Sequence, residues 1–197
     1  MPSIDGLEIA DDPAAWGAAG FDVTDSMCRV GSVRLRLTGK GPRRGIVGWD
    51  LDVGRTAPAS APQPNGAVRV DHVVMLSPDL DQTVGELESQ GFELRRRREG
   101  PTPGGSTRQA FFRAGEPILE VVQAPEGTSV ARDPRAAARL WGLAFAVADM
   151  DATADALGDL LGRPRDAVQP GRTIATLRPE AGLGPAVAFM TSGAGAI

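Results

Sequence analysis

The chain has 197 residues, a net charge of −4, 42% hydrophobic residues, one cysteine and one histidine. The acidic balance excludes a general attraction to nucleic acid or an anionic membrane surface. A lone Cys28 excludes an intrachain disulfide framework, and the opening MPSIDGLEIADD has neither the basic start nor the apolar core of an export signal. No run approaches the roughly 20 apolar residues that span a bilayer, so the expected setting is cytoplasmic, with no nucleic-acid or membrane partner.

Residues 1–54 read as a β-rich segment. Strands are expected over 4–10, 27–30, 32–37 and 45–53, with Val33, Leu35 and Leu37 alternating against Arg34 and Arg36. Asp12-Pro13 opens a short helix that runs through Trp16 and leaves at Gly20-Phe21. Residues 55–66 are rich in Pro and Ala without periodicity and read as a linker, able to fold the N-terminal segment back or to carry it to another subunit.

Residues 67–127 form a unit of their own. The apolar run 68–76 is broken by Asp71-His72 and followed by Ser77-Pro78-Asp79, a turn and a helix start. Leu80, Val84 and Leu87 recur at helical spacing up to Gly91, a C-terminal cap. Strands follow over 92–98, 108–113 and 117–123, the first two joined by a Pro/Gly-rich loop over 101–105. The order is βαβββ. After a polar connector at 128–139, with Asp133-Pro134 as a candidate helix start, residues 140–197 repeat the pattern: strand 141–147, helix 149–161, exit at Gly162, later strands over 172–178 and 185–191.

This order resembles the vicinal oxygen chelate superfamily of glyoxalase, bleomycin-resistance and dioxygenase proteins. The likeness is carried by Asp71-His72-Val73-Val74, Gln90-Gly91-Phe92 and Pro117-Ile118-Leu119-Glu120-Val121-Val122. It implies an α+β fold in which paired βαβββ modules build a curved mixed sheet around a pocket, with residues 1–54 as a third, degenerate module. It further implies that His72 and Glu120 are ligands of a divalent metal (Ni, Mn, Zn or Fe), Glu120 doubling as a catalytic base.

The second module departs from that pattern. Aligning the two helix starts puts Gly142 at the place of His72, and aligning Pro185 with Pro117 puts Ala188 at the place of Glu120. Two ligands make a weak site, since a catalytic ion usually takes at least three from the protein. The missing ligands come from a second copy across a homodimer, or from unmatched carboxylates such as Asp50 or Asp52, or the protein holds no metal.

Strand alternation adds a pocket. Gly142, Ala144 and Ala146 share one strand face while Leu143, Phe145 and Val147 share the other, and Ala186 and Ala188 oppose Val187 and Phe189 in the same way. Bulky residues belong under a helix; the small ones, with Val74 beside His72, then line the concave side. Either they leave room for a ligand, or they let a neighbouring segment pack tightly.

Other features promise less. Arg95 to Arg98 read as a solvated strand edge, the Gly104-Gly105 loop opens no helix to hold phosphate, Cys28 lacks a nearby histidine, and Trp49 and Trp141 read as core. The expected function is binding of a small molecule between modules without a complete metal site. The alternative is a metal-dependent lyase, isomerase or dioxygenase whose site is completed across a dimer.

Overall fold

In the computed structural model, residues 1–53, 58–102, 105–131, 133 and 136–192 are described. The elements in chain order are β1 (Pro2–Ala10), α1 (Pro13–Ala18), β2 (Met27–Val30), β3 (Val33–Leu37), β4 (Gly45–Val53), β5 (Ala67–Ser77), α2 (Leu80–Ser89), β6 (Glu93–Thr102), β7 (Gly105–Arg113), β8 (Ile118–Gln123), β9 (Arg139–Val147), α3 (Met150–Leu157), β10 (Arg165–Asp166), β11 (Thr173–Thr176) and β12 (Ala186–Thr191). Of the expected helix start at Asp133-Pro134 the proline, and of the loop over 101–105 residues 103 and 104, lie outside the described set.

Both long helices begin as their caps dictate. Asp79 accepts from the Gln82 N–H at 3.0 Å, and Asp149 accepts from the N–H groups of Asp151 and Ala152, each satisfying donors that the first turn leaves open. The second helix is shorter than expected. Gly158, at φ +50°, ends it, and a single 3-10 turn over Gly158–Leu160 takes its place.

Strands β5 to β12 form one sheet in the order β10-β11-β12-β9-β5-β8-β7-β6. In each half the first strand runs parallel to the last: β5 beside β8, β9 beside β12. The halves join where β5 and β9 pair antiparallel. This is the pair of βαβββ modules expected from the sequence, with the two-residue strand β10 added.

One face of this sheet is filled by bulk. Val73, Leu119, Val121, Leu143, Phe145, Val187 and Phe189 are buried together with Leu80, Val84 and Leu87 of α2 and Met150 and Leu157 of α3. The N-terminal segment covers the same face. Trp16 and Phe21 lie with ring centroids 6.5 and 5.0 Å from Phe145, and Phe21 stacks over Phe189 at 6.3 Å.

The N-terminal segment keeps the βαβββ order but not the wiring. Its sheet runs β2-β3-β1-β4, so the strand parallel to β1 is β3, and β4 lies antiparallel on the other flank. Here β4 flanks β1 as β9 flanks β5. Nor is the Pro/Ala-rich stretch a free tether over its described part. The Ser60 hydroxyl donates to the Arg29 carbonyl, Gln63 Nε2 donates to the same carbonyl at 2.9 Å, and the buried Asn65 donates to the Ala19 carbonyl while accepting from the Ala67 N–H. These contacts fold the segment back onto its own chain.

Candidate functional site

The open face of the large sheet holds a cavity of about 430 Å³. Alternation decides what reaches it. His72 and Val74 come from β5, Gln109 and Phe111 from β7, Glu120 and Val122 from β8, Gly142 and Ala144 from β9, Ile174 and Thr176 from β11, and Ala186, Ala188 and Met190 from β12. Arg98, Trp141, Arg165, Val168 and Gln169 are among the residues that form the rest of its walls.

The register makes the two halves comparable residue by residue. Across β5 and β8, His72 faces Ile118 and Val74 faces Glu120; across β9 and β12, Gly142 faces Ala186 and Ala144 faces Ala188. Gly142 therefore stands where His72 stands, and Ala188 where Glu120 stands. The seam between the halves pairs His72 with Ala144 and Val74 with Gly142, which is the pairing such a two-fold relation requires.

Six of the seven residues expected there from the small-residue pattern and the family likeness therefore meet at the cavity: His72, Glu120, Val74, Gly142, Ala144 and Ala188. Ala146 does not line the cavity. It shares the face, but it is fully buried between Arg69 and Met190, beyond the cavity's edge. Asp50 and Asp52 are also elsewhere: they lie on β4, opposite Gly6 and Ser3, in the N-terminal sheet on the far side. Gly142 has a packing reason besides any pocket. A Cβ there would come within 2.9 Å of the Ala186 carbonyl oxygen, so β12 approaches β9 at this point only because no side chain intervenes. Ala186 and Ala188 remain partly open to the cavity.

The polar residues are held by a kink. Between Val70 and His72 the β5–β9 register shifts by one, leaving Asp71 as an extra residue in a β-bulge. The bulge places the Asp71 carboxylate beside the His72 ring on the same strand, 2.8 Å from Nδ1. Arg69 and Arg172 close on the same carboxylate at 2.7 and 3.0 Å, and Arg172 also donates to the Thr191 carbonyl at 2.6 Å. Burial alone would raise the Asp71 carboxyl; the imidazole and then the two guanidinium groups outweigh it and hold the group far below the usual carboxylate range.

Glu120 shows the opposite balance. Burial pushes its carboxyl above the usual range, and His72, the Gln109 amide, Arg98 and Arg96 oppose that push without cancelling it. Gln109 Nε2 donates to Glu120 Oε1 at 2.5 Å, while Gln109 Oε1 is buried without a hydrogen-bond partner. Phe111 closes this wall, its ring edge-on to His72 with centroids 6.4 Å apart, and the Arg96 guanidinium lies over Phe111 at 4.8 Å.

Two readings of the sequence are revised here. Trp141 is not core: it is 45% exposed at the cavity's rim. The arginine run is not a uniformly solvated edge either, since Arg95 pairs with Glu93, Arg97 with Asp81, Arg96 covers Phe111, and Arg98 lines the cavity. Gln109 was legible in principle, because in an antiparallel hairpin the residue two before Phe111 shares its face. Cys28 is inert, its thiol pushed up to about 12 by burial and by Asp22.

The family model of the glyoxalase-like domain matches residues 70–192. The chain belongs to the glyoxalase-like family. Its paired modules place it within the vicinal oxygen chelate superfamily, and the first 69 residues lie outside the match. Among solved structures, methylmalonyl-CoA epimerase from Streptomyces coelicolor in complex with 2-nitronate-propionyl-CoA is 27% identical, with a TM-score of 0.52 over 65% of this chain and 99% of that one. The epimerase from Mycobacterium tuberculosis (18%, TM-score 0.53, 65% and 90% covered) and a hypothetical protein from Bacillus halodurans C-125 (17%, 0.53, 66% and 97%) share the fold. No curated protein matches.

Whether this glyoxalase-like chain suits the metal its superfamily implies is a question of donors. His72 and Glu120 lie on one wall, the equivalent places on the other are Gly142 and Ala188, and among the described residues no group of three or more His, Cys, Asp or Glu side chains is gathered that could hold an ion. The set does not fit a divalent ion held by one chain. No helix among the described residues is long and apolar enough to cross a membrane.

Proposed function

We infer that the cavity binds a small organic molecule and that binding does not run through a metal ion. The observation that carries this reading is the asymmetry of the two walls. The first module supplies the imidazole of His72 and the carboxylate of Glu120 to the sheet floor; at the equivalent places the second supplies Gly142 and Ala188, with Ala144 and Ala186 beside them, and its polar Arg165, Gln169 and Thr176 stand elsewhere on the lining. A concave, mostly apolar space of this size with a few convergent polar groups is the usual form of a small-molecule site.

The other reading, a metal-dependent lyase, isomerase or dioxygenase completed across a dimer, needs a second His/Glu pair to face the first. Against it stands the pairing of β9 with β5 in the same chain, which brings glycine and alanines to the opposite wall. Epimerisation meets a related difficulty. It removes a proton from one face of a carbon and returns it to the other, and this cavity offers Glu120 and His72 on one wall only.

Native mass spectrometry of the purified protein and of its Ala188→Phe variant tests the reading. The expected result is a bound small molecule that the phenylalanine excludes while the fold is retained. A species carrying a divalent ion, lost in His72→Ala and unaffected by Ala188→Phe, would overturn it.

A further inference from the structure

We propose that the occupant of this cavity is an aryl carboxylate with a hydroxyl elsewhere on its ring, free to donate, the acid directed to Arg98, the hydroxyl to Gln109 and the ring to the wall formed by Trp141, Ala186 and Ala188. The proposal deepens the small-molecule reading and rests on it.

The acid follows from the arginine run. Its other three members are engaged by Glu93, Phe111 and Asp81, whereas Arg98 makes no ion pair or side-chain hydrogen bond among the described residues, and it is half-buried in the cavity wall. Arg165, from the second module, lines the same cavity and is likewise without such a partner among the described residues. A guanidinium in a partly dry wall favours a planar, bidentate oxyanion, which a carboxylate supplies.

The hydroxyl follows from Gln109. Its nitrogen is committed to Glu120, and its oxygen is a buried acceptor with nothing to accept from. An orphaned acceptor of this kind is costly unless a ligand brings the missing donor.

The ring follows from the rim. Trp141 and Val168 are 45% and 50% exposed, two of the few large apolar side chains that the described surface leaves open, and both border this cavity. The alanines beneath them leave a flat floor, and a flat apolar body fits between such a floor and an indole.

Titration calorimetry with 3-hydroxybenzoate, benzoate and benzyl alcohol separates these contributions. Benzoate is expected to bind about ten-fold more tightly than benzyl alcohol, and 3-hydroxybenzoate more tightly again. Arg98→Gln should bring both acids to the level of the alcohol. Gln109→Leu should remove only the advantage of 3-hydroxybenzoate over benzoate. If benzyl alcohol binds as well as the acids, or if the acids ignore Arg98→Gln, the ligand class is wrong, although loss of the alcohol in Ala188→Phe would leave the cavity reading standing. If none of the three binds, or if Ala188→Phe changes none of them, the cavity reading falls and the ligand class with it.

Discussion

Asp71 is buried, yet its carboxylate is shared by Arg69, Arg172 and the His72 ring. Replacing it with asparagine strands two partly buried cations, and breaking such a cluster costs roughly 3 kcal/mol. Because its folded pKa is depressed, the ionised group contributes stability at neutral pH that is lost as pH falls below the ordinary carboxylate range. Urea denaturation of Asp71→Asn should therefore show a less stable protein at neutral pH and a flatter decline between about pH 5 and 2. Glu120 runs the other way. Its folded pKa is raised, so stability falls as pH climbs from the ordinary carboxylate value through the raised one, the native state binding the extra proton. Glu120→Gln should stabilise the protein by roughly 1 kcal/mol at neutral pH and little in acid, read from the same denaturation series. His72 and Glu120 were visible in the sequence because histidine occurs once and a carboxylate inside an apolar strand is unusual. Asp71 was not assigned a role, because strict alternation sends it to the opposite face from His72, and only the bulge brings it round.

The elements divide in the same way between what a local pattern shows and what pairing decides. The βαβββ order of both large modules follows from caps at Asp79 and Asp149, helical spacing, and the glycine after each helix. Strand neighbours in the N-terminal segment could not be read so, since alternation in Val33, Leu35 and Leu37 says which face is buried but not whether β3 or β4 lies parallel to β1. That segment reaches the aromatic side chains of the large sheet through Trp16 of α1 and through Phe21. Trp16 is fully buried, packs against Phe21 and Phe145, and donates its indole N–H to the buried Asp11 at 3.1 Å. Trp16→Ala should cost about 3–5 kcal/mol, as a large aromatic core truncation does. It should also uncover Phe145 and Phe189, which binding of an apolar dye would report. A loss under 1 kcal/mol, roughly that of a surface change, would mean that the segment does not seal the core.

Across the whole molecule, one sheet separates two tasks. Its covered face carries the buried mass of both helices and of the N-terminal segment; its open face carries the cavity, with His72 and Glu120 on the first module and Gly142 and Ala188 at the equivalent places on the second. The sequence already contained the contrast between Gly/Ala and Leu/Phe faces, and the register shows that the small residues stand at the places of His72 and Glu120. What it did not contain was Arg98 and Arg165 at the rim, which depend on how far β6 and the β10 region curl over the sheet, or Trp141, which a register shift between β5 and β9 leaves as an extra residue. On the proposed function the chelating set is half-present and the cavity works without an ion. Equilibrium dialysis of the protein against Ni, Mn, Zn and Fe(II) in turn, followed by metal analysis per chain, puts this to the test. The expected result is retention far below one ion for every two chains, equal in the wild type and in His72→Ala. One ion per chain, or one per pair of chains, lost in His72→Ala, would contradict it.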